Sequence, residues 1–276
     1  GDGEAEQLRV TQDARRPADR AERPGQLHCI AVAAQSLVDR RGPCYGGDGF
    51  RVGREIVLDK LMIGTQRYSS WSLRGWLPVK IARLDVEVVV IPLQGGETSA
   101  IQGRTPANLV PYLEHEGARV WESLAICEYC AEVEKTLWPA DRVARAEARS
   151  IASEMHAGFR ALRNAMPMNL GRTDGAGLGQ TPESLADAAR LDQIISETRA
   201  AFGGGGPYLF GQDFTAADVM LAPVVARFLT YRPALSDACL AYCDAVRSFP
   251  LVEEWYRAAA AEPMSWQLAK YETLQG

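Results

Sequence analysis

The sequence predicts a two-part fold: a small mixed α/β domain followed by an all-helical one. Between about residues 57 and 137, strand and helix patterns alternate in the order β-α-β-α-β-β-α, which suits a mixed four-stranded sheet with helices on both faces. From about residue 141 to 262, apolar residues recur three or four apart and no strand pattern occurs. Trp138-Pro139-Ala140-Asp141 separates the two parts with linker chemistry and a helix start.

In chain order, Val57 to Ile63 reads as the first strand, and Gly64-Thr65-Gln66 as the turn that ends it. A helix follows from about Ser70 to Leu84, with Trp71, Leu73, Trp76, Leu77, Val79 and Ile81 on its apolar side. Val86 to Ile91 is an almost continuous β-branched run, as expected of an internal strand, and Pro92 stops it. Residues 93–106 form a connection with about one helical turn. Leu109 to Leu113 and Ala118 to Trp121 flank Glu114-His115-Glu116-Gly117 as a short hairpin. Glu122-Ser123 opens another helix, which runs to about Glu134.

In the second part, residues 142–170 read as one long helix because Ala148, Ile151, Met155, Phe159, Leu162 and Met166 share a face. Residues 171–182 are a loop, and Leu185 to Phe202 is a helix stopped by the run Gly203 to Pro207. Thr215-Ala216-Ala217-Asp218 resembles a capping box before an apolar helix, expected at the centre of the second domain. Further helices are expected near 235–248 and 250–261, with 263–276 as a C-terminal tail.

The 276 residues carry a net charge of -5, which does not favour general nucleic-acid or anionic-membrane binding. No apolar run reaches the roughly 18 residues that a spanning helix needs. Cys29, Cys44, Cys127, Cys130, Cys239 and Cys243 are scattered, which reads as reduced thiols in a cytoplasmic protein. Residues 1–56 stand apart as an atypical, partly disordered extension, because 1–26 are rich in Arg, Asp, Glu, Ala and Pro and gain little from burial. Within it, 27–38 suits a short helix and 41–50 is turn material; its weak apolar run does not make a convincing secretory signal.

Three places carry chemistry. Tyr68-Ser69-Ser70-Trp71-Ser72 sets hydroxyls beside the unpaired N–H groups of a helix start, a place that suits an anion. Val110-Pro111 begins the third strand candidate; if the bond is cis, the Val110 N–H and C=O are free to pair with an extended, peptide-like ligand. At Glu122-Ser123, a hydroxyl and first-turn N–H groups suit a carboxylate, while Glu122 accepts from an ammonium. All three fall at the carboxyl edge of neighbouring strands, where open α/β sheets bind ligands. Cys127 and Cys130 lie inside a later helix, not at the helix start a dithiol centre wants, and read as core with Cys239 and Cys243. His28, His115 and His156 are dispersed, so no metal site is expected.

Those motifs, with Asn108-Leu109-Val110-Pro111, Glu122 to Tyr129, Leu137-Trp138-Pro139, Met166 to Leu170 and Phe214 to Asp218, resemble the cytosolic glutathione S-transferases, most of all the bacterial, serine-type, zeta-like members. The resemblance covers about residues 58–262. It implies a thioredoxin-like glutathione-binding domain at 57–137, an all-helical substrate-binding domain at 141–262, and a homodimer with the site near its interface. It also implies that Ser123 and Glu122 hold the γ-glutamyl end, that the Val110 main chain pairs with the cysteinyl residue beside a cis Pro111, and that Gln94 is a candidate for the glycyl carboxylate. Ser69 then donates to the glutathione sulfur, with Tyr68, Ser70 and Ser72 as competing donors. Trp71, His156, Arg160, Arg163 and Met166 are second-pocket candidates.

The activity so implied is a glutathione transferase that presents glutathione, its co-substrate, as a thiolate to small hydrophobic electrophiles, with no metal, as in detoxification. One hydrogen bond and a helix N-terminus supply about 1.4–3 kcal/mol, enough to lower a thiol pKa by one to two units. The alternatives are a glutathione-dependent isomerase of the maleylacetoacetate type, a glutathione-dependent peroxidase or thiol reductase, or a non-enzymatic glutathione-binding or interaction protein. Trp71 stands where the zeta-like motif has Cys, which places the isomerase second.

Overall fold

The computed structural model describes residues 59–273. The helix expected at 27–38, the turn at 41–50 and the first residues of the strand expected from Val57 lie outside the described residues. The first half contains β1 (Lys60–Gly64), α1 (Ser70–Ile81), β2 (Glu87–Ile91), β3 (Tyr112–His115), β4 (Ala118–Trp121) and α2 (Ser123–Val133). The sheet order is β2-β1-β3-β4, with β1 parallel to β2 and antiparallel to β3, and β3 antiparallel to β4, so the β-branched β2 is an edge strand and not the internal one its run suggests.

Side chains of β1 alternate between two faces, as the strand period requires. Leu61 and Ile63 join Leu73, Leu77, Leu113 and Ile126 under α1 and α2. Met62 faces the other way, with Ile91, Ile101 and Tyr112. That second face was expected to carry a helix; it carries turns of the 93–108 connection, which does not form one. The hairpin also begins later than the pattern suggests. Thr105 Oγ1 donates to Leu109 O and accepts the Leu109 N–H, at 2.9 and 3.0 Å, closing a turn up to that residue. Pro111 has no N–H for the ladder, and β3 starts at Tyr112. Helix α1 stops before Leu84 because Arg83 is left-handed, with φ 55°.

The second half contains α3 (Arg142–Ala157), α4 (Arg160–Ala165), α5 (Pro182–Phe202), α6 (Ala216–Tyr231), α7 (Asp237–Arg247), α8 (Pro250–Ala261) and the short α9 (Ala269–Glu272). After Trp121 the described residues hold no strand, only an isolated bridge between Tyr208 and Gly211. The single helix expected over 142–170 is two. Phe159 takes a left-handed conformation (φ 56°), and the Leu162 N–H turns to Asp187 Oδ2 of α5 at 2.9 Å. The apolar period runs on through the break because Leu162 and Met166 still face the core, so spacing alone does not reveal it.

Helix α6 is buried along most of its length and packs against α1 and α3. Asp218 organises its start: its carboxylate accepts Leu209 N–H at 3.1 Å, Thr215 N–H at 2.8 Å, Thr215 Oγ1 at 2.7 Å and Tyr242 OH at 3.0 Å. Asp218→Ala is expected to strand these buried donors and to destabilise the protein by about 3 kcal/mol or more. Urea unfolding checks this, and an unchanged midpoint would count against the role.

Candidate functional site

The four hydroxyls of the β1–α1 turn have separate surroundings. Ser69 is the N-cap of α1; its Oγ accepts the Ser72 N–H at 3.2 Å and donates to Ser72 Oγ at 2.7 Å. Ser72 is fully buried, and its Oγ accepts the Gly64 N–H at 2.8 Å. Ser70 Oγ faces Arg227 Nη2 at 3.4 Å. Tyr68 OH donates to the Glu272 carboxylate and accepts the Leu268 N–H at 3.2 Å. Burial, then the Glu272 bond, pushes its pKa up to about 12, so the phenol stays protonated near neutrality.

Of the four, Ser69 alone lines a cavity of about 600 Å³, shared with Trp71, Thr98, Gln102, Asn108 and Val110. A second cavity of about 240 Å³ has Trp71, Leu109 and Val110 in common with it and extends to Pro111, Trp121, Glu122 and Ser123. The Val110–Pro111 bond is cis. No group among the described residues bonds the N–H or C=O of Val110. Gly75 of α1 lies against this corner; a Cβ on it would come within 2.5 Å of the Pro111 ring.

Ser123, the first residue of α2, is 1% exposed and its Oγ has no hydrogen-bond partner among the described residues. A buried hydroxyl left so at a helix N-terminus is an acceptor-binding position that the fold does not itself fill. Glu122 beside it has φ 68° and is exposed, with Oε2 3.5 Å from His156 Nε2. Gln94 lines neither cavity; its Oε1 accepts the Ser99 N–H at 3.3 Å. Thr98, Gln102 and Asn108 stand in the cavity wall instead. The signal for them was a concentration of small polar residues in a stretch without periodicity.

Around Trp71 the structure gathers positive charge. The guanidiniums of Arg163 and Arg74 lie 4.4 and 4.9 Å from its ring centroid, and His156 meets it edge-on at 5.3 Å. Arg74 is fully buried; its Nε donates to Met220 O at 2.8 Å, while Nη1 and Nη2 have no hydrogen-bond partner. Arg227, also buried, donates to Pro223 O at 2.8 Å and leaves Nε without a partner. Among the described residues no carboxylate lies within ion-pair distance of Arg74, Arg163 or Arg227. Burial first, and the neighbouring guanidiniums second, hold Arg74 well below the ordinary arginine range; burial and Arg163 lower Arg227 to about 10. Arg227 was not singled out from the sequence, although a lone arginine in an apolar helix was the available sign. Arg160 is exposed, and Met166 is fully buried in the core rather than in the wall.

The other groups have quieter surroundings. Cys127 and Cys130 are buried, and burial pushes both thiols up, Cys130 to about 12. Among the described residues no group of three His, Cys, Asp or Glu side chains has a metal-holding arrangement, and no helix is long and apolar enough to cross a membrane.

Residues 68–133 match the family model for the glutathione S-transferase N-terminal domain, and residues 144–258 that for its C-terminal domain. The chain belongs to the glutathione S-transferase superfamily. It is 31% identical to the maleylacetoacetate isomerase of Rattus norvegicus over 174 residues, covering 60% of this chain and 76% of that protein. The Mus musculus maleylacetoacetate isomerase gives the same identity and coverage. Among solved structures, a glutathione transferase homolog from Burkholderia gl BGR1 with bound glutathione superposes with a TM-score of 0.57 at 21% identity. That match covers 74% of this chain and all of that one, and it shows a shared fold.

In this superfamily member the C-terminal tail closes over the β1–α1 turn. Tyr271 packs on Tyr68, with ring centroids 5.3 Å apart, and Lys270 Nζ donates to Gly95 O. Tyr68→Phe is expected to free the Leu268 N–H and to leave Glu272 with Asn169 Nδ2 as its donor. Hydrogen exchange at Leu268 should then quicken by roughly fivefold, the worth of one ordinary hydrogen bond. Unchanged exchange would show that Tyr68 does not hold the tail.

Proposed function

We propose that the protein is a glutathione-dependent cis–trans isomerase acting on a small unsaturated acid of the maleylacetoacetate type. The arginine group at Trp71 carries this proposal. Buried guanidinium charge without a counter-charge is costly, and a substrate carboxylate arriving beside Arg163 offsets that cost. Similarity to the rat and mouse isomerases supports the same substrate class.

Glutathione fits the two cavities end to end. The unpartnered Ser123 Oγ and the α2 N-terminus suit the γ-glutamyl carboxylate, with Glu122 for its ammonium. The free main chain of Val110 suits the cysteinyl residue, and Thr98, Gln102 and Asn108 offer polar contacts farther along. Ser69, at the positive end of α1, donates to the sulfur and lowers the thiol pKa by about one to two units. Bound glutathione supplies a thiolate whose reversible addition to the double bond permits rotation before elimination. Arg163 orients the acid and screens the charge that develops on it, while Arg74 and Arg227 add positive field from behind. His156 keeps Glu122 engaged at the rim.

A second reading, conjugation of a small hydrophobic electrophile, is favoured by Trp71 in the position of the isomerase motif's cysteine. A steady-state panel of a cis-enone acid, an aryl halide and an organic hydroperoxide separates the two. The isomerase reading expects turnover of the enone acid with no net loss of glutathione; conjugate as the sole product would overturn it in favour of the transferase. Arg163→Gln should raise KM for the acid about tenfold while leaving the thiol titration unchanged, since one charge-assisted contact is worth roughly 1.5–3 kcal/mol.

A further inference from the structure

We infer that Ser72 is a positioning residue for the thiolate: it hands a hydrogen bond to Ser69 so that the single Ser69 proton is released toward the sulfur. The inference rests on the proposal that Ser69 is the sulfur donor. It follows from counting donors and acceptors at two buried hydroxyls.

Ser69 O–H points at Ser72 Oγ over 2.7 Å, and Ser69 Oγ accepts the Ser72 N–H at 3.2 Å. Ser72 Oγ accepts at the same time from the Gly64 N–H at 2.8 Å, at the end of β1. A hydroxyl has one proton and two lone pairs. When an anionic sulfur occupies the cavity, Ser69 must turn its proton to it and gives up the bond to Ser72. Ser72 then has one free proton, no other acceptor recorded among the described residues, and Ser69 Oγ within 2.7 Å.

Rotating that one O–H reverses the bond with no heavy-atom movement. Ser69 Oγ then accepts both the Ser72 N–H and the Ser72 O–H, and donates to the sulfur. Each added acceptor bond polarises the Ser69 hydroxyl and strengthens its donation, because hydrogen bonds in a chain reinforce one another at low dielectric. The chain runs Gly64 N–H to Ser72 to Ser69 to sulfur, so β1 as well as α1 contributes to the site. Ser70, which faces Arg227, and Tyr68, which donates to Glu272, are not in this chain.

The test is the thiolate absorbance of the glutathione complex titrated against pH for the wild type, Ser69→Ala, Ser72→Ala and Ser72→Thr, with thermal midpoints recorded alongside. Ser69→Ala is expected to raise the bound-thiol pKa by one unit or more, and Ser72→Ala by roughly half a unit. Ser72→Thr keeps the hydroxyl and should return the pKa toward wild type; if the added methyl disrupts folding, Ser72→Cys, a near-isosteric weak donor, should give an intermediate value. A purely structural Ser72 would lower the thermal midpoint and leave the thiol pKa in place. A shift in Ser69→Ala with none in Ser72→Ala would therefore overturn the relay alone. No shift in Ser69→Ala would overturn the serine assignment itself, and the relay with it.

Discussion

The burial of Arg74 is the constraint on which the rest depends. Its side chain leaves α1 and crosses to α6, where Nε meets Met220 O at 2.8 Å. That bond fixes the first helix of the α/β half against the central helix of the second half. It also places a guanidinium where water does not reach. A buried charge of this kind is normally paired. Here its company is Arg227, Arg163 and the face of Trp71, and two of its nitrogens have no hydrogen-bond partner. The contact that joins the halves thus also gathers positive charge around Trp71, which lines the same cavity as Ser69.

The turn between β1 and α1 is held from the same side. Glu262, just beyond α8, accepts the Gln66 and Arg67 N–H groups, and Trp255 Nε1 donates to Gln66 O at 3.1 Å. Asn169 Nδ2 reaches Tyr271 O and Glu272 Oε1, each at 3.2 Å. The residues before Ser69 therefore take their positions from the helical half, although they belong in sequence to the sheet. Fixing a short turn in this way reduces the reorganisation required when an anion arrives, which is how preorganised sites gain their strength.

Much of the architecture was legible because it rests on short-range periodicity. The apolar run Leu61–Ile63 of β1 and the capping pattern at Thr215–Asp218 report local burial, whereas the β-branched run at 86–91 reads as an internal strand and forms the sheet's edge instead, with Val88 36% exposed. What was not legible depended on partners distant in sequence. The break at Phe159 is invisible to spacing because Leu162 stays on the apolar face either side of it. Gln94 looked available by composition, yet it lines neither cavity, and its amide oxygen accepts the Ser99 N–H inside its own turn. Met166 suited a pocket wall and is core instead, since Met fills either setting with equal ease.

At the site, the sequence by itself determined the inventory: a hydroxyl-rich helix start, a Val-Pro corner, and a Glu-Ser pair opening a second helix. These are local motifs, and their chemistry follows from residue type and from the unpaired N–H groups of helix ends. Only the tertiary structure decided among the hydroxyls, because that choice turns on what occupies each neighbour. Tyr68 is taken by a carboxylate more than 200 residues away, Ser70 by an arginine of α6, and Ser72 by the end of β1, leaving Ser69 at the cavity. That Arg163, a second-pocket candidate from the sequence, meets Arg74 at Trp71 with Arg227 close by was likewise beyond sequence reading. Arg74, Arg163 and Arg227 lie on three helices, and packing alone brings their charges together, with no acid in ion-pair distance among the described residues.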